Sequence, residues 1–184
     1  MKNNLELWSA VEKTDPNHTK KANVKGNKIT SIKPQYQILQ ATKQWGSYGS
    51  TWGFKDVSLG YELTGVGLVT FKATFYYPIG EFETINTISI YKDNAQTKVD
   101  DDLAKKVETD TLTKSLSKLG FSADIFLGRY DDVRYVAEVT KEFTQKPTLT
   151  EDKFSGYKDW TDAQIQSVKK NYKLTEEQLI KLNK

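Results

Sequence analysis

Residues 68–91 constrain this chain most. From Leu68 to Tyr77, Val69, Phe71, Ala73, Phe75 and Tyr77 fall on one side and Leu68, Thr70, Lys72, Thr74 and Tyr76 on the other. A period of two sends alternate side chains to opposite faces, so this run, within a predicted strand over 61–77, reads as a strand with one face in a core. Pro78-Ile79-Gly80 supplies a turn. Glu81–Tyr91 then alternates again, with Phe82, Thr84, Asn86, Ile88 and Ile90 on one side. A further candidate strand at Ser50–Ser58, closed by a turn near Gly60, completes a three-stranded antiparallel meander. Such a sheet needs a cover for its apolar face.

The cover is expected at Val99–Leu119. Leu103, Val107, Leu112, Leu116 and Leu119 form its apolar stripe, and Gly120 stops it. Asp100, Asp101 and Asp102 are expected in its first turn and Lys114 and Lys118 near its end, each suited to the helix dipole there. A shorter helix is expected before the sheet, with Ser31 as N-cap and Pro34 in the first turn. Ile38, Leu39, Ala41, Thr42 and Trp45 stripe it, and Gly46 ends it. Residues 1–30 read as a short apolar patch (Leu5, Leu7, Trp8, Val11) followed by a polar, lysine-rich loop. Lys141–Gly156 reads as a linker. Thr161-x-x-Gln164 and Thr175-x-x-Gln178 are capping boxes for two short helices, near Asp162–Tyr172 and Glu176–Asn183. The expected class is α+β: an antiparallel three-stranded β-meander covered by a long helix, preceded by a short helix, with a small C-terminal helical tail. Its expected division is a core over 1–140, a linker over 141–160 and a helical tail over 161–184.

Several chemistries lack their residues. The chain has 184 residues, no cysteine and one histidine, His18, so disulfides, thiolate chemistry and ordinary zinc sites are excluded. His18 sits in the polar loop and reads as a surface or backbone-bonded residue. No G-x-S-x-G, G-x-x-x-x-G-K-[ST] or G-x-G-x-x-G occurs, which leaves no signal for an elbow nucleophile or a Walker or Rossmann nucleotide site. No cofactor is expected. No apolar run approaches a membrane span, and the start lacks the apolar region of a secretory signal, so the expectation is a cytoplasmic protein with no membrane partner. Asp100–Asp102 and Asp131–Asp132 could in principle hold Mg²⁺ in a nuclease. Consecutive carboxylates do not converge on one helix face, however, and helix-end charge and a turn account for them.

The net charge is +3, but Lys13–Lys43 holds seven lysines against Asp15 alone, a balance of +6 that leaves −3 for the rest. The window either attracts an anionic partner such as nucleic acid or is a solvated loop, the second being the commoner case for charge alone. Trp45, Tyr48, Trp52 and Phe54 surround a glycine-punctuated turn. Exposed rings beside lysines suit single-stranded nucleic acid. Core packing is the expectation for Trp45 and Trp52, and Tyr48 stays open between the two.

Thr109-Asp110-x-Leu112-x-Lys114-x-Leu116-x-Lys118-Leu119-Gly120 resembles the signature helix of the Rad-fifty-two-like single-strand annealing proteins. Ile38-x-x-Ala41-x-x-x-Trp45-Gly46-x-x-Gly49-x-x-Trp52 is similar to that family's early helix and first strand. Thr30-Ser31-Ile32 and Leu119-Gly-Phe-Ser-Ala-Asp124 are similar to phrases of its phage members of the Sak type. The likeness covers about Ser31 to Val136. It implies a β-β-β-α core assembled into homo-oligomeric rings or filaments, with single-stranded DNA in an outer basic groove lined by the signature and early helices. Lys114 falls on a basic position of the motif. Thr113 and Ser117 stand where relatives carry further basic residues, and Tyr36, one turn from Lys33, stands near another. The implied DNA-contact set is Lys114 and Lys118 with Lys105, the lysines Lys20, Lys21, Lys28, Lys33 and Lys43, and the rings of Tyr36 and Tyr48. Asp110 is expected to orient a neighbouring basic group.

The expected function is ATP-independent binding and annealing of single-stranded DNA in phage homologous recombination, without catalysis. The helical tail is expected to reach a single-strand binding protein or a neighbouring subunit. The alternatives are a Mg²⁺-dependent nuclease of DNA metabolism and a protein-interaction module with no role on DNA.

Overall fold

The computed structural model describes residues 5–24, 26–144 and 146–182. It is α+β, with two antiparallel sheets, and divides into two compact units, 1–136 and 137–184. In chain order the first unit carries helix α1 (Glu6–Val11), strands β1 (Thr19–Val24) and β2 (Asn27–Ile32), helix α2 (Pro34–Trp45), strands β3 (Gly53–Gly60), β4 (Leu68–Tyr77) and β5 (Gly80–Ser89), helix α3 (Leu103–Lys118) and the short α4 (Ala123–Phe126). Helix α5 (Val133–Thr144) carries the chain across the division. Helices α6 (Glu151–Phe154), α7 (Asp162–Asn171) and α8 (Glu176–Leu182) follow. No helix among the described residues is long and apolar enough to cross a membrane.

The meander has the order β3-β4-β5. On β4, Val69, Phe71, Ala73 and Phe75 are buried, as the alternation requires. Pro78 and Ile79 form a two-residue turn that pairs Tyr77 with Gly80. The strands are shorter than their sequence patterns. Residues 61–67 form a loop with one 3₁₀ turn, and β3 begins at Gly53 and is broken by a bulge between Lys55 and Ser58, with Asp56 at φ 53°. A bulge bends the strand at the cost of one residue's pairing.

Helix α3 covers the sheet, packing chiefly against β5 and β4. It starts at Leu103, because Val99 still belongs to the extended chain and bridges to Tyr91. The three aspartates therefore precede the first turn. The buried face of α3 is Val107, Thr111, Leu112, Ser115 and Leu116, while Leu103 and Leu119 are only partly buried. Of the two inward hydroxyls, Thr111 Oγ1 donates within the helix to the Val107 carbonyl at 2.6 Å, and Ser115 Oγ donates across to Thr84 Oγ1 on β5 at 3.5 Å.

Two expectations for the N-terminal region need correction. Ser31 does not cap a helix; it pairs with Lys20 inside β2, and α2 is capped at Lys33 without a side-chain bond. The lysine-rich loop is the β1–β2 hairpin. Its strands carry little apolar periodicity, since Ile32 alone is fully buried in β2, so composition disguised it as a loop. On α2, Tyr36, Gln37 and Ala41 are buried, with Ile38 and Trp45 packed beside them, whereas Leu39 and Thr42 face outward.

The main core joins Val11, Ala41, Trp52, Phe75, Leu112, Leu116 and Phe121, so α1, α2, the sheet and α3 close on one another. Gly120 makes that closure possible. It has φ +99°, and a Cβ there would lie 2.8 Å from the Trp8 ring and 3.0 Å from the Trp8 Cα. Only glycine meets both the backbone angle and the close approach.

The second unit has its own core of Leu149, Phe154 and Leu182, supported by Tyr157, Trp160, Ile165, Val168, Tyr172 and Leu174. Two of the three buried residues of that core, Leu149 and Phe154, lie within 141–160, the stretch expected as a linker, so that stretch belongs to the folded unit. Its turns and charges gave it a linker's composition. Both capping boxes form: Thr161 and Gln164 exchange bonds, and Thr175 N–H donates to Gln178 Oε1 at 3.1 Å while Gln178 N–H donates to Thr175 Oγ1 at 3.2 Å.

Candidate nucleic-acid interface

The outward face of α3 lies across from β2, and a trough runs between them. At one end it is lined by Lys20, Pro34, Lys105, Lys106 and Thr109, in a cavity of about 370 Å³. At the other it is lined by Ile29, Thr30, Lys114, Phe126, Tyr130 and Asp131 among others, in a second cavity of about 370 Å³. The two share Ser31, Ile32, Asp110 and Thr113, which makes them adjoining stretches of one concavity. Four lysines against two aspartates, Asp110 and Asp131, give its lining a balance of +2. Hydroxyls of Thr30, Ser31, Thr109 and Thr113 lie between the ammonium groups; Thr109 Oγ1 donates to the Lys105 carbonyl at 2.8 Å, Thr113 Oγ1 to the Thr109 carbonyl at 3.0 Å and Ser31 Oγ to the Ile32 carbonyl at 3.5 Å, while Thr30 Oγ1 accepts from Lys21.

Three of the lysines are held by carboxylates. Lys114 Nζ lies 2.7 Å from Asp110 Oδ2 and donates to Asn86 Oδ1 at 3.2 Å. Asn86 Nδ2 in turn donates to Asp110 Oδ2 at 2.8 Å, so Asp110 and Asn86 together fix the direction of Lys114. Lys106 Nζ spans both oxygens of the buried Asp100 at 2.9 and 2.7 Å, and this ammonium holds the Asp100 carboxyl below the usual carboxylate range. Lys105 lies 3.2 Å from Asp102. Lys114 and Lys105 are exposed pairs, worth about 0–1 kcal/mol, so a phosphate can replace either carboxylate at small cost. Lys20 makes no ion pair among the described residues and is exposed.

The other expected contact residues are scattered. On the hairpin, Lys21 donates across to Thr30 Oγ1 at 2.7 Å, and Lys28 is exposed near the tip. Lys33 donates to the Asn17 carbonyl at 2.9 Å. Lys43 is exposed on the last turn of α2. Lys118 sits 5.2 Å over the Phe82 ring. None of these five lines the trough.

Tyr36 is corrected outright as a contact. It is buried, stacks on His18 at 4.5 Å between ring centres, and its hydroxyl accepts from Asp15 N–H at 3.2 Å. Burial is the main cause pushing its hydroxyl above the ordinary tyrosine range. No face of this ring is open for a base. Tyr48 is 43% exposed and packs edge-on against Trp52 at 5.0 Å. It lines a separate hollow with Glu108, and burial, then that carboxylate, pushes its hydroxyl up. Trp52 is fully buried, and its Nε1–H donates to the Gly46 carbonyl at 2.8 Å.

Sequence reasoning missed Lys106 and the hydroxyl row. The signal was present: Lys106, Thr109, Asp110 and Thr113 recur at three- and four-residue spacings, one face of a helix. Attention to the apolar stripe alone passed over it.

A second polar centre adjoins the trough through Tyr130. Asp124 is buried and accepts from Thr14 N–H at 2.8 Å, Thr14 Oγ1 at 2.6 Å, Ile125 N–H at 2.9 Å and Tyr135 OH at 2.9 Å. The Tyr130 hydroxyl donates to the Thr14 carbonyl. Burial, with the nearby Asp124 carboxylate, raises both tyrosine hydroxyls far above their ordinary value and keeps them protonated. This network ties the segment after α1 to α4.

The aspartate clusters do not converge. Asp100, Asp101 and Asp102 face Lys106, Lys92 and Lys105 respectively. Among the described residues no group of three or more histidines, aspartates or glutamates is arranged to hold a metal ion. No protein-family model matches the chain, and no curated protein matches it.

Proposed function

We propose that the chain binds single-stranded DNA along the α3–β2 trough and anneals complementary strands without ATP, as an oligomer, in phage recombination within the host cytoplasm. The observation that carries this reading is the trough itself: Lys105, Lys106 and Lys114, on the helix whose sequence resembles the annealing signature, face Lys20 of β1 across a row of hydroxyls. The order of the meander and α3 is compatible with the β-β-β-α core that the resemblance implies. Phosphates displace Asp110 and Asp102 from their exposed lysines and release counterions, so affinity falls with salt at a slope of roughly −0.7 per phosphate contacted. Thr30 Oγ1, which accepts from Lys21, keeps its proton to donate to a phosphate or sugar oxygen between these charges. Holding the strand extended removes ordering cost before a second strand arrives, and no covalent bond changes. The edges of β3 and β5, unpaired among the described residues, offer sites for self-association.

The test is nucleotide-free annealing of complementary labelled oligonucleotides, with binding followed by anisotropy across salt. Lys20→Ala with Lys114→Ala should slow annealing and lower the salt slope by about 1.4, two contacts at roughly 0.7 each. Annealing at the parental rate in that double variant refutes the trough. Micrographs with single-stranded DNA that show neither rings nor filaments refute the oligomer.

A further inference from the structure

The second unit holds a charged concavity that the trough reading does not use. Helix α7 segregates charge along its length, with Asp162 in its first turn and Lys169 and Lys170 in its last. Beyond α7 the chain folds back beside residues 147–149. Lys173 N–H donates to the Pro147 carbonyl at 2.9 Å, Leu149 N–H donates to the Lys173 carbonyl at 3.0 Å, and Thr148 and Lys173 form a parallel bridge. The pairing draws Lys146 in, and its Nζ donates to the Lys169 carbonyl at 3.1 Å, at the negative end of α7. Lys146, Thr148, Tyr172 and Lys173 line an open cavity of about 500 Å³. Lys153 Nζ stands 6.0 Å from the centre of the Tyr172 ring.

Two of the unit's acids, Glu177 and Glu151, are engaged elsewhere. Glu177 pairs with Lys181 at 2.7 Å, and Glu151 accepts from Gln178 Nε2 at 2.9 Å. Lys146, Lys153 and Lys173 are exposed and make no ion pair among the described residues.

We infer that this concavity is a second binding site for single-stranded DNA, with Lys146 and Lys173 on successive phosphates and the Tyr172 ring against a base. The inference rests on the annealing reading and adds a contact surface outside the trough. Lysine ammoniums around a ring match a phosphate chain carrying bases. A docking peptide anchored by hydrophobic residues would need an apolar pocket, and this lining has no aliphatic side chain. The exposed Leu179 and Ile180 lie on α8, outside it. A second site on the same chain lets one protein hold a strand at two places.

The experiment uses the full chain and a labelled oligothymidylate. Lys146→Glu with Lys173→Glu should weaken binding by at least about tenfold and lower the salt slope by about 1.4. Lys146→Gln with Lys173→Gln should act in the same direction by less, and unchanged circular dichroism would show the fold intact. An oligonucleotide carrying 5-iodouracil should photocrosslink to Tyr172, and the adduct should persist in the Lys20→Ala, Lys114→Ala trough variant. Parental affinity and slope in both Lys146/Lys173 variants, with loss only in the trough variant, overturn this site and leave the trough standing. Absence of binding by the unmodified chain overturns both. Protection of Lys146 and Lys173 from acetylation by a polyglutamate peptide but not by the oligonucleotide overturns the nucleic-acid assignment in favour of an acidic protein partner.

Discussion

Asp124→Asn tests the buried lock between the N-terminal segment and α4. The two carboxylate oxygens divide four donors: Oδ2 takes Thr14 N–H and Tyr135 OH, and Oδ1 takes Thr14 Oγ1 and Ile125 N–H. An amide has one oxygen and one NH₂. Either orientation aims the NH₂ at one backbone N–H and one hydroxyl. The hydroxyl can turn and accept; the backbone N–H cannot. One buried N–H is therefore stranded, at about 1–3 kcal/mol, and the remaining bonds lose their charge assistance. Removing a buried charge returns part of this, so the net loss is about 2–4 kcal/mol. The assay is urea unfolding followed by tryptophan fluorescence in a Trp160→Phe background, where Trp8, Trp45 and Trp52 report the first unit alone. Thr14→Val and Tyr135→Phe should each cost less, and each should couple to Asp124→Asn in a double-mutant cycle. A loss below about 0.5 kcal/mol, the range of an ordinary surface substitution, refutes the lock.

Three further outcomes are expected. The Tyr130 and Tyr135 hydroxyls titrate higher when folded than when unfolded, so their stabilisation is complete below about pH 10 and is lost as the pH rises through the folded values. Urea midpoints should therefore fall above pH 10, and Tyr130→Phe with Tyr135→Phe should flatten that fall. Gly120→Ala should destabilise by about 2–5 kcal/mol through backbone strain and displacement of Trp8, whereas Gly128→Ala, at φ +72° with its nearest atom 3.6 Å away, should show only about 1–2 kcal/mol of strain; equal losses would mean Trp8 is not seated on Gly120. Thr161→Ala should cost about 0.5–2 kcal/mol and speed hydrogen exchange in α7 while leaving α3 unchanged.

The elements that are legible in the sequence share one property: their signal is local. Val69, Phe71, Ala73 and Phe75 alternate, so β4 is read directly, and Pro78-Ile79-Gly80 marks its turn. Thr161 and Gln164 stand three residues apart and meet within one helical turn. Asp110 as an orienting group for a neighbouring basic group was legible, and the structure pairs it with Lys114, four residues on along the helix. The β1–β2 hairpin was not legible, since its stability comes from backbone pairing and one anchor, Ile32, rather than from an apolar period. Tyr36 was misjudged because a tyrosine between polar neighbours can face either way, and packing against His18 decided it.

By itself, then, the sequence determined the meander, its covering helix, the capped helices of the second unit and the absence of cysteine and nucleotide-binding motifs. Only the tertiary structure decided which faces became concave. The trough exists because β2 comes to lie beside α3, and the second basic hollow because Lys146 is folded back onto the end of α7. The Asp124 lock joins Thr14 to residues more than a hundred positions later. Such juxtapositions arise from the packing of elements distant in sequence, and no periodicity or spacing along the chain encodes them.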